Sequence, residues 1–453
     1  FFVSRRGRTL AWILPLAGFS FLFLTLLYAL SGAESSSGIN EILEPYWCEK
    51  RFRNRTNALS LGTEQPKIGF SSAQCIGSSR ESRSCVLGNV CVQAEEFTDV
   101  DGMVRTRFKA PETVMVYLSP TQPVPENTSV WVETILNHPR MKPTHLVWIN
   151  FTSAPMPTDR TTYNGFHVRF RDNVMGFGHW LIDNLIPMFA LLEQFGWLGR
   201  TFAVVDGRME PFWPFYTILS GRRPIPIKSE PLLHSHFCFE NLIVGSAGYG
   251  WSDPPHAAGA GKSELAYNAM QYFSCRVAAA SGQPEPLFAS AGIPQILVMN
   301  DSASNHHISN FKQMVNALRA AFQEPSQLSD GHVSENSVRA KVTVFTPSPK
   351  RDAATLNAQI ALYRQTSVLV SEWGTLSFGA LFLPVGAHAV IHSPELGFGK
   401  YEANSYWKNL AFLHYHSFPN SSGPDVDVPA LVKLITSILK APLSRALPRL
   451  LDN

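Results

Sequence analysis

The stretch TSVLVSEWGTLSFGALFLPVGAHAVIHSP, residues 366–394, is the most informative piece of the sequence, although units of its pattern recur in many folds without a ligand. Val368 to Val370 reads as a buried strand, Ser371 to Gly374 as a tight turn, Thr375 to Leu383 as a helix and Pro384 to Gly386 as the turn into a second strand, HAVIH. In such a strand-turn-helix-strand unit the loop and the helix N-terminus sit at the carboxyl edge of a sheet. Unpaired N–H groups gather there, and that edge is suited to an anion such as a diphosphate. Gly374 lets the backbone come close, while Thr375 is placed to cap the helix or touch a phosphate.

The same alternation continues on both sides. After a lead-in of short strands and turns (NVCVQ, VMVYL), HLVWINF, GHWLIDNLIPMFALLEQFG, TFAVVDG and NLIVGS form one set. QILVMN, the amphipathic NFKQMVNALRAAFQ, KVTVFTP, TLNAQIALYRQ and the 366–394 unit form another. Strands alternating with helices predict parallel sheets covered by helices. Gly/Ala/Ser-rich stretches at Ala257 to Gly261 and Ala278 to Gly292, with prolines at 284, 286 and 294, predict a boundary between the sets. A chain of 453 residues also exceeds what one ordinary core holds. The expectation is an α/β protein of two Rossmann-like domains facing a cleft, an N-terminal lobe at 75–290 and a C-terminal lobe at 291–453.

Thr9 to Ala33 carries no charge, and its core, residues 10–30, has about the ~20 residues that cross a bilayer. Arg5, Arg6 and Arg8 precede it and no Lys or Arg follows until Lys50. The positive-inside rule therefore leaves residues 1–9 as a cytosolic tail and sends the body across. A cleaved signal peptide is the rival, with SGAES as its cleavage region, but such apolar cores run only ~7 to ~15 residues. The expectation is a signal anchor followed by a stem, residues 31–74. Sequons at Asn54, Asn127, Asn150, Asn300 and Asn420 suit a lumenal body. The six cysteines, Cys48, Cys75, Cys85, Cys91, Cys238 and Cys275, form no CxxC pair and read as disulfides of open connectivity. With a net charge of only +3 and no long basic tract interleaved with aromatics beyond the first ten residues, nothing favours nucleic acid.

MGFGHWLIDNLIPMF, Met175 to Phe189, sets one histidine and one aspartate four residues apart in an apolar segment behind two glycines. On a helix that spacing puts His179 and Asp183 on one face, within reach of a hydrogen bond or a shared ligand. The alternative is that Asp183 orients a buried His179 and does no chemistry. Pro187 conflicts with a continuous α-helix, since its ring meets the carbonyl of Asp183.

NVMGFGHWLIDNLIPMFALLEQFG resembles the N…H…D…P segment of glycosyltransferase family 61, and FCFENLIVGSAGYGW is similar to the stretch that follows it there. SCVLGNVCV resembles the family's upstream cysteine pair, and LNAQIALYRQTSVLVSEWGTLSFGALFLPVGAHAVI its C-terminal signature. The matches keep the family's order across residues 85–395. The resemblance implies a GT-B fold and inverting transfer of a xylose, GlcNAc or arabinose unit from a nucleotide sugar, a UDP-sugar above all, to a glycan or glycoprotein acceptor. It also implies a type II membrane protein of the Golgi or ER and no tightly held metal or cofactor. Carried over by position, Asn173, His179 and Asp183 fall on the N-domain motif, and Ser371, Glu372, Trp373 and Gly374 on the C-domain loop. His179 paired with Asp183 becomes the base that takes the acceptor proton, with Asn173 on the acceptor side.

Two positions depart from the family pattern. Trp373-Gly374 stands where His-Gly is usual, and Asn300 or Asp301 stands for an arginine, with His306 and His307 for a basic pair. A neutral amide holds a diphosphate less well than an arginine fork, so Lys350 and Arg351 are expected to substitute in the donor site. The triplets Asp99–Asp101 and Asp425–Asp427 close no apolar strand and read as polar turns, not as a metal-holding DxD. Two other readings stay open: a catalytically inactive relative serving as a lumenal binding or scaffold protein, and a glycosidase using Asp183 and Glu372.

Overall fold

The computed structural model describes residues 70–78, 83–132, 146–169, 177–205, 212–227, 233–245, 260–283, 292–300, 308–323, 338–348, 350–372, 374–392, 410–418 and 425–441. The expected tail, anchor and most of the stem lie outside the described residues, as do Cys48, Asn54 and Asn420. Among the described residues no helix is long and apolar enough to cross a membrane.

Nine strands build the first sheet: β1 (Ser72–Ile76), β2 (Ser84–Thr98), β3 (Val104–Phe108), β4 (Thr113–Tyr117), β5 (Thr128–Trp131), β6 (Leu146–Thr152), β7 (Thr161–Arg169), β8 (Phe202–Val205) and β9 (His236–Gly245). They run in the order β5-β6-β4-β2-β9-β7-β8, with β1 and β3 also on β2. The parallel sheet expected here is corrected to a mixed one. β4–β6, β7–β8 and β7–β9 are parallel, but the long β2 lies antiparallel to β9 and β4. Apolar runs report that a strand is buried, not its direction, and β9 pairs with a strand some 150 residues upstream, beyond the reach of any local pattern. Two disulfides tie this sheet: Cys75–Cys85 joins β1 to β2, and Cys91–Cys238 joins directly opposed residues of β2 and β9. No cysteine is free among the described residues.

β7 carries two buried polar groups. Arg169, its last residue, is forked onto Glu112, with Nε–Oε1 at 2.7 Å and Nη2–Oε2 at 2.8 Å, while Nη1 donates to the Val205 carbonyl of β8 at 3.2 Å. Two residues earlier, His167 is fully buried, packed by Tyr163 and Phe239, with Nδ1 set 3.2 Å from the Asn241 carbonyl. Burial, aided by the charge of Arg222, pushes its imidazole down to about 4. An unfolded histidine titrates near 6.5, so the stability tied to neutral His167 is complete above pH 6.5 and is lost as pH falls toward 4. Urea unfolding at pH 5 should show this one group costing about 2 kcal/mol relative to pH 7.5, a loss that His167→Phe removes.

The second sheet is wholly parallel: β10 (Gln295–Met299), β11 (Lys341–Phe345), β12 (Val368–Glu372), β13 (Ala387–His392) and β14 (Leu413–Ser417), in the order β11-β10-β12-β13-β14. Counted from β10 this is 2-1-3-4-5, a doubly wound order. The strand period of two sends Ile296, Val298, Val368, Val370 and Val390 to one face, against α5 (Phe311–Phe322) and α7 (Val428–Lys440). The alternate residues Leu297, Met299, Leu369, Ala389 and Ile391 face α6 (Ala353–Arg364) and a 3₁₀ helix, Thr375–Phe382. Helix α5 shows why its pattern was readable: Met314, Val315, Leu318 and Phe322 recur at helical spacing and are buried, with polar residues on the other side.

Between the sheets lie α1 (Phe177–His179), a π-helical segment (Trp180–Leu185), α2 (Ile186–Gln194), α3 (Trp213–Ser220) and α4 (Ala260–Ser281). Helix α4 takes in the described residues of the expected boundary stretches, 260–261 and 278–281; residues 257–259 and 284–291 lie outside the described residues. Its small residues are buried helix positions, Ala266, Ala269 and Ala278 among them, in a helix touched by α2, α3, α6 and the 3₁₀ helix. A helix covered on several sides shows little amphipathic periodicity, and its Gly- and Ala-rich ends look like linker. One apolar cluster runs from Val168, Phe202, Val204 and Ile243 of the first sheet through these helices to Leu297 and Leu369 of the second. The described residues belong to one compact unit.

Candidate functional site

In a 2-1-3-4-5 sheet the chain leaves β10 and β12 in opposite directions, so the carboxyl ends of those two strands splay into a crevice. Gly374 lies just past the end of β12, where the backbone takes φ 135° and ψ −161°, a conformation open in practice only to glycine. The Gly374 carbonyl accepts from both the Ser377 amide (3.1 Å) and the Ser377 hydroxyl (2.8 Å), which closes the first turn of the 3₁₀ helix. A Cβ at Gly374 would meet nothing within 4 Å. Gly374→Ala therefore changes only the backbone term, and thermal unfolding should report a loss of about 1–3 kcal/mol without any clash.

The histidine-bearing segment reaches this same place. Gly178 of α1 lies against Phe378 of the 3₁₀ helix so closely that a Cβ on it would stand 2.0 Å from Phe378 Cδ2. On its other side the 3₁₀ helix bears on α6 through Gly379, where a Cβ would fall 2.3 Å from the Tyr363 ring. Two glycines thus let an apolar helix wedge between α1 and α6. Tyr363 is buried there, and burial raises its phenol far above its ordinary value. The proline conflict is resolved by the π-helical turn. Shifting the hydrogen bonds to i→i−5 over Trp180–Leu185 widens the backbone just before Pro187, which opens α2 at a position that needs no N–H. His179 and Asp183 fall on α1 and on this turn; their side chains lie outside the described residues.

Ser371 and Glu372, expected in the turn, are instead the last residues of β12 and are buried. The Ser371 hydroxyl donates to the Glu372 carbonyl (2.9 Å), and one carboxylate oxygen of Glu372, Oε1, accepts from the Ile308 amide at the approach to α5 (2.9 Å). Trp373, Asn173, Asp301, His306, His307 and the side chain of Thr375 lie outside the described residues. Asn300, at the end of β10, donates its amide to Thr346 Oγ1 at 3.2 Å, joining the ends of β10 and β11. Lys350 is exposed. Arg351 lays its guanidinium over Phe212 (4.6 Å) and Phe215 (5.8 Å) at the start of α3, and Phe215 in turn packs on Phe177 and Trp180. Asp352 caps α6 through the Thr355 amide (2.8 Å) and hydroxyl (2.9 Å), bonds that hold its carboxyl below the usual range. No family model matches this chain, and no curated protein matches it.

The crevice edge therefore gathers Gly374, Asn300, Lys350 and Arg351 from the second sheet, and α1 with the start of α3 from the helical layer. Sequence reading missed Gly178, Phe378, Phe212 and Phe215, the residues that join the two; the glycine directly before His179 was the available signal. The Asp99–Asp101 triplet is the β2–β3 turn, with Arg105 on Asp99 at 2.9 Å. The other triplet opens α7, with Asp427 as N-cap accepting from the Ala430 amide at 3.0 Å. The first is a turn, as its polar setting predicted; the second, expected as a turn, caps a helix. Among the described residues no group of three or more His, Cys, Asp or Glu side chains is arranged to hold a metal.

Proposed function

We propose that the protein is a GT-B-type glycosyltransferase of the secretory pathway, held in the Golgi or ER membrane by its N-terminal apolar segment. In this reading it transfers a sugar from a nucleotide donor, with UDP-sugars first, to a glycan or glycoprotein acceptor with inversion. The observation that carries the reading is the seating of α1 on the 3₁₀ helix directly behind Gly374, at the carboxyl edge where a doubly wound sheet receives ligands. A diphosphate would lie against the first turn of that helix, whose leading N–H groups carry the positive end of the helix dipole, with Lys350 and Arg351 supplying fixed cationic charge nearby. His179, oriented by Asp183, would take the acceptor hydroxyl's proton as the new bond forms on the face opposite the leaving diphosphate. The disulfides within the first sheet suit an oxidising compartment.

The second reading, an inactive lumenal binding or scaffold relative, is favoured by Arg351 being stacked on Phe212 and Phe215. Incubating the purified chain with a panel of UDP-sugars and glycan acceptors, with mass spectrometry of the products, separates the two. A product mass increased by one pentose or N-acetylhexosamine supports the transferase. Absence of both transfer and donor hydrolysis across the panel leaves the inactive relative. The glycosidase reading is disfavoured, because the Glu372 carboxylate is buried and bonded to the Ile308 amide.

A further inference from the structure

Trp148 stands on β6, an inner strand between β5 and β4, yet it is 37 % exposed. The strand period of two divides β6 cleanly: Val147, Ile149 and Phe151 join the apolar cluster on one face, and Trp148, Asn150 and Thr152 project from the other. By register their neighbours on that second face are Thr113, Met115 and Tyr117 of β4, with Ser129 of β5 opposite Trp148. Asn150 is half-buried there, and its side-chain amide has no hydrogen-bond partner among the described residues. Left bare, the indole keeps a large apolar surface in water. The two residues are also joined in sequence, since Asn150-Phe151-Thr152 is a sequon and Trp148 precedes its asparagine by two.

We propose that Asn150 carries an N-linked glycan whose first N-acetylglucosamine lies over the Trp148 indole. Residues two apart on a strand project from one face about 6.5 Å from each other, so a pyranose on the Asn150 amide nitrogen reaches the indole without crossing the sheet. The C–H groups on the apolar face of the sugar meet the electron-rich face of the ring, while its hydroxyl and N-acetyl groups stay in water. In the attachment step the amide nitrogen bonds to the anomeric carbon of a lipid-diphosphate-linked oligosaccharide. The C1–O bond breaks, the lipid diphosphate leaves with the electron pair, and the amide proton passes to a base of the host's oligosaccharide transferase. Attachment to the entering chain precedes folding, so half-burial in the finished sheet does not bar it. The sequon at Asn127 is differently placed: it is exposed, Pro125 instead of an aromatic lies two residues before it, and its side-chain carbonyl accepts from the Phe151 amide at 3.1 Å. The inference rests on the lumenal setting of the proposed function and not on its transferase chemistry.

Glycopeptide mass spectrometry of the full chain expressed in eukaryotic secretory cells, before and during digestion of the native protein with a peptide N-glycosidase, tests it. Asn150 should be occupied. Trp148→Thr should speed release of its glycan several-fold, whereas Trp148→Tyr, which keeps an aromatic face, should release it as slowly as the parent. Thermal unfolding gives a second readout: Asn150→Gln should lower the midpoint by about 1–2 °C in the parent and leave it unchanged in the Trp148→Thr background. A bare Asn150 with glycan at Asn54, Asn127 or Asn420 would overturn this inference and leave the lumenal setting standing. No occupied sequon at all would overturn both. An occupied Asn150 whose release and midpoint ignore Trp148→Thr would overturn the stacking.

Discussion

Arg169→Met lowers the unfolding free energy by about 3–5 kcal/mol in urea titration, because it strands a buried carboxylate. Glu112 and Arg169 are each about 5 % exposed and joined by two short bonds, so neither charge has water to fall back on when the other is removed. The double variant Glu112→Leu with Arg169→Met removes both charges and should recover most of the loss, since a buried ion pair replaced by apolar side chains is often close to neutral. Equal destabilisation in the single and double variants would show that the cost comes from lost packing over Phe108, which the guanidinium covers at 5.2 Å. Arg169 ends β7, and the segment that follows leads into α1.

On the proposed transferase reading, Gly178→Val has the largest expected effect on activity. Its Cβ would be placed within 2.0–2.8 Å of three ring atoms of Phe378, and the ring packs against the interlayer apolar cluster instead of open solvent. Either α1 or the 3₁₀ helix must move by an ångström or more. Overpacking of this kind costs about 1–3 kcal/mol of stability, and a shift of that size between reacting groups costs roughly 100-fold in turnover. Phe378→Ala in the Gly178→Val background relieves the contact and should return the stability. Turnover should stay low, because the seat that fixes α1 relative to Gly374 is gone. A Gly178→Val protein with full stability and full turnover would mean that the contact positions nothing.

The second sheet was nearly all legible in the sequence, for a reason visible in its residues. QILVM, VLV and HAVI are short apolar runs buried on both faces, and α5 between β10 and β11 shows its stripe of Met314, Leu318 and Phe322. The first sheet was less so. β7, TTYNGFHVR, is polar over its first half and broken by an irregularity between Tyr163 and Phe166, which hides the strand period. The exception in the second sheet is its end strand β14, LHYHS, which carries two histidines and one large apolar residue at its start, too little pattern for a strand. Within the candidate site, Gly374 could be placed because a turn between a strand and a helix requires such a residue. That Ser371 and Glu372 belong to the strand depends on an acceptor meeting the Ile308 amide, a contact 64 residues away that no local pattern contains. Pro187 signalled a departure from α-helix, but a kink, a break and a π turn all satisfy a proline equally on paper.

On the proposed reading a nucleotide diphosphate is received where α1 meets the turn after β12. Backbone hydrogen–deuterium exchange of the intact chain, with and without millimolar UDP, tests this most directly. Slowed exchange confined to residues 374–383 and to the helix beginning at Phe177, with the strands of the first sheet unchanged, is the predicted result. Protection elsewhere, with both of those segments exchanging as before, would contradict it.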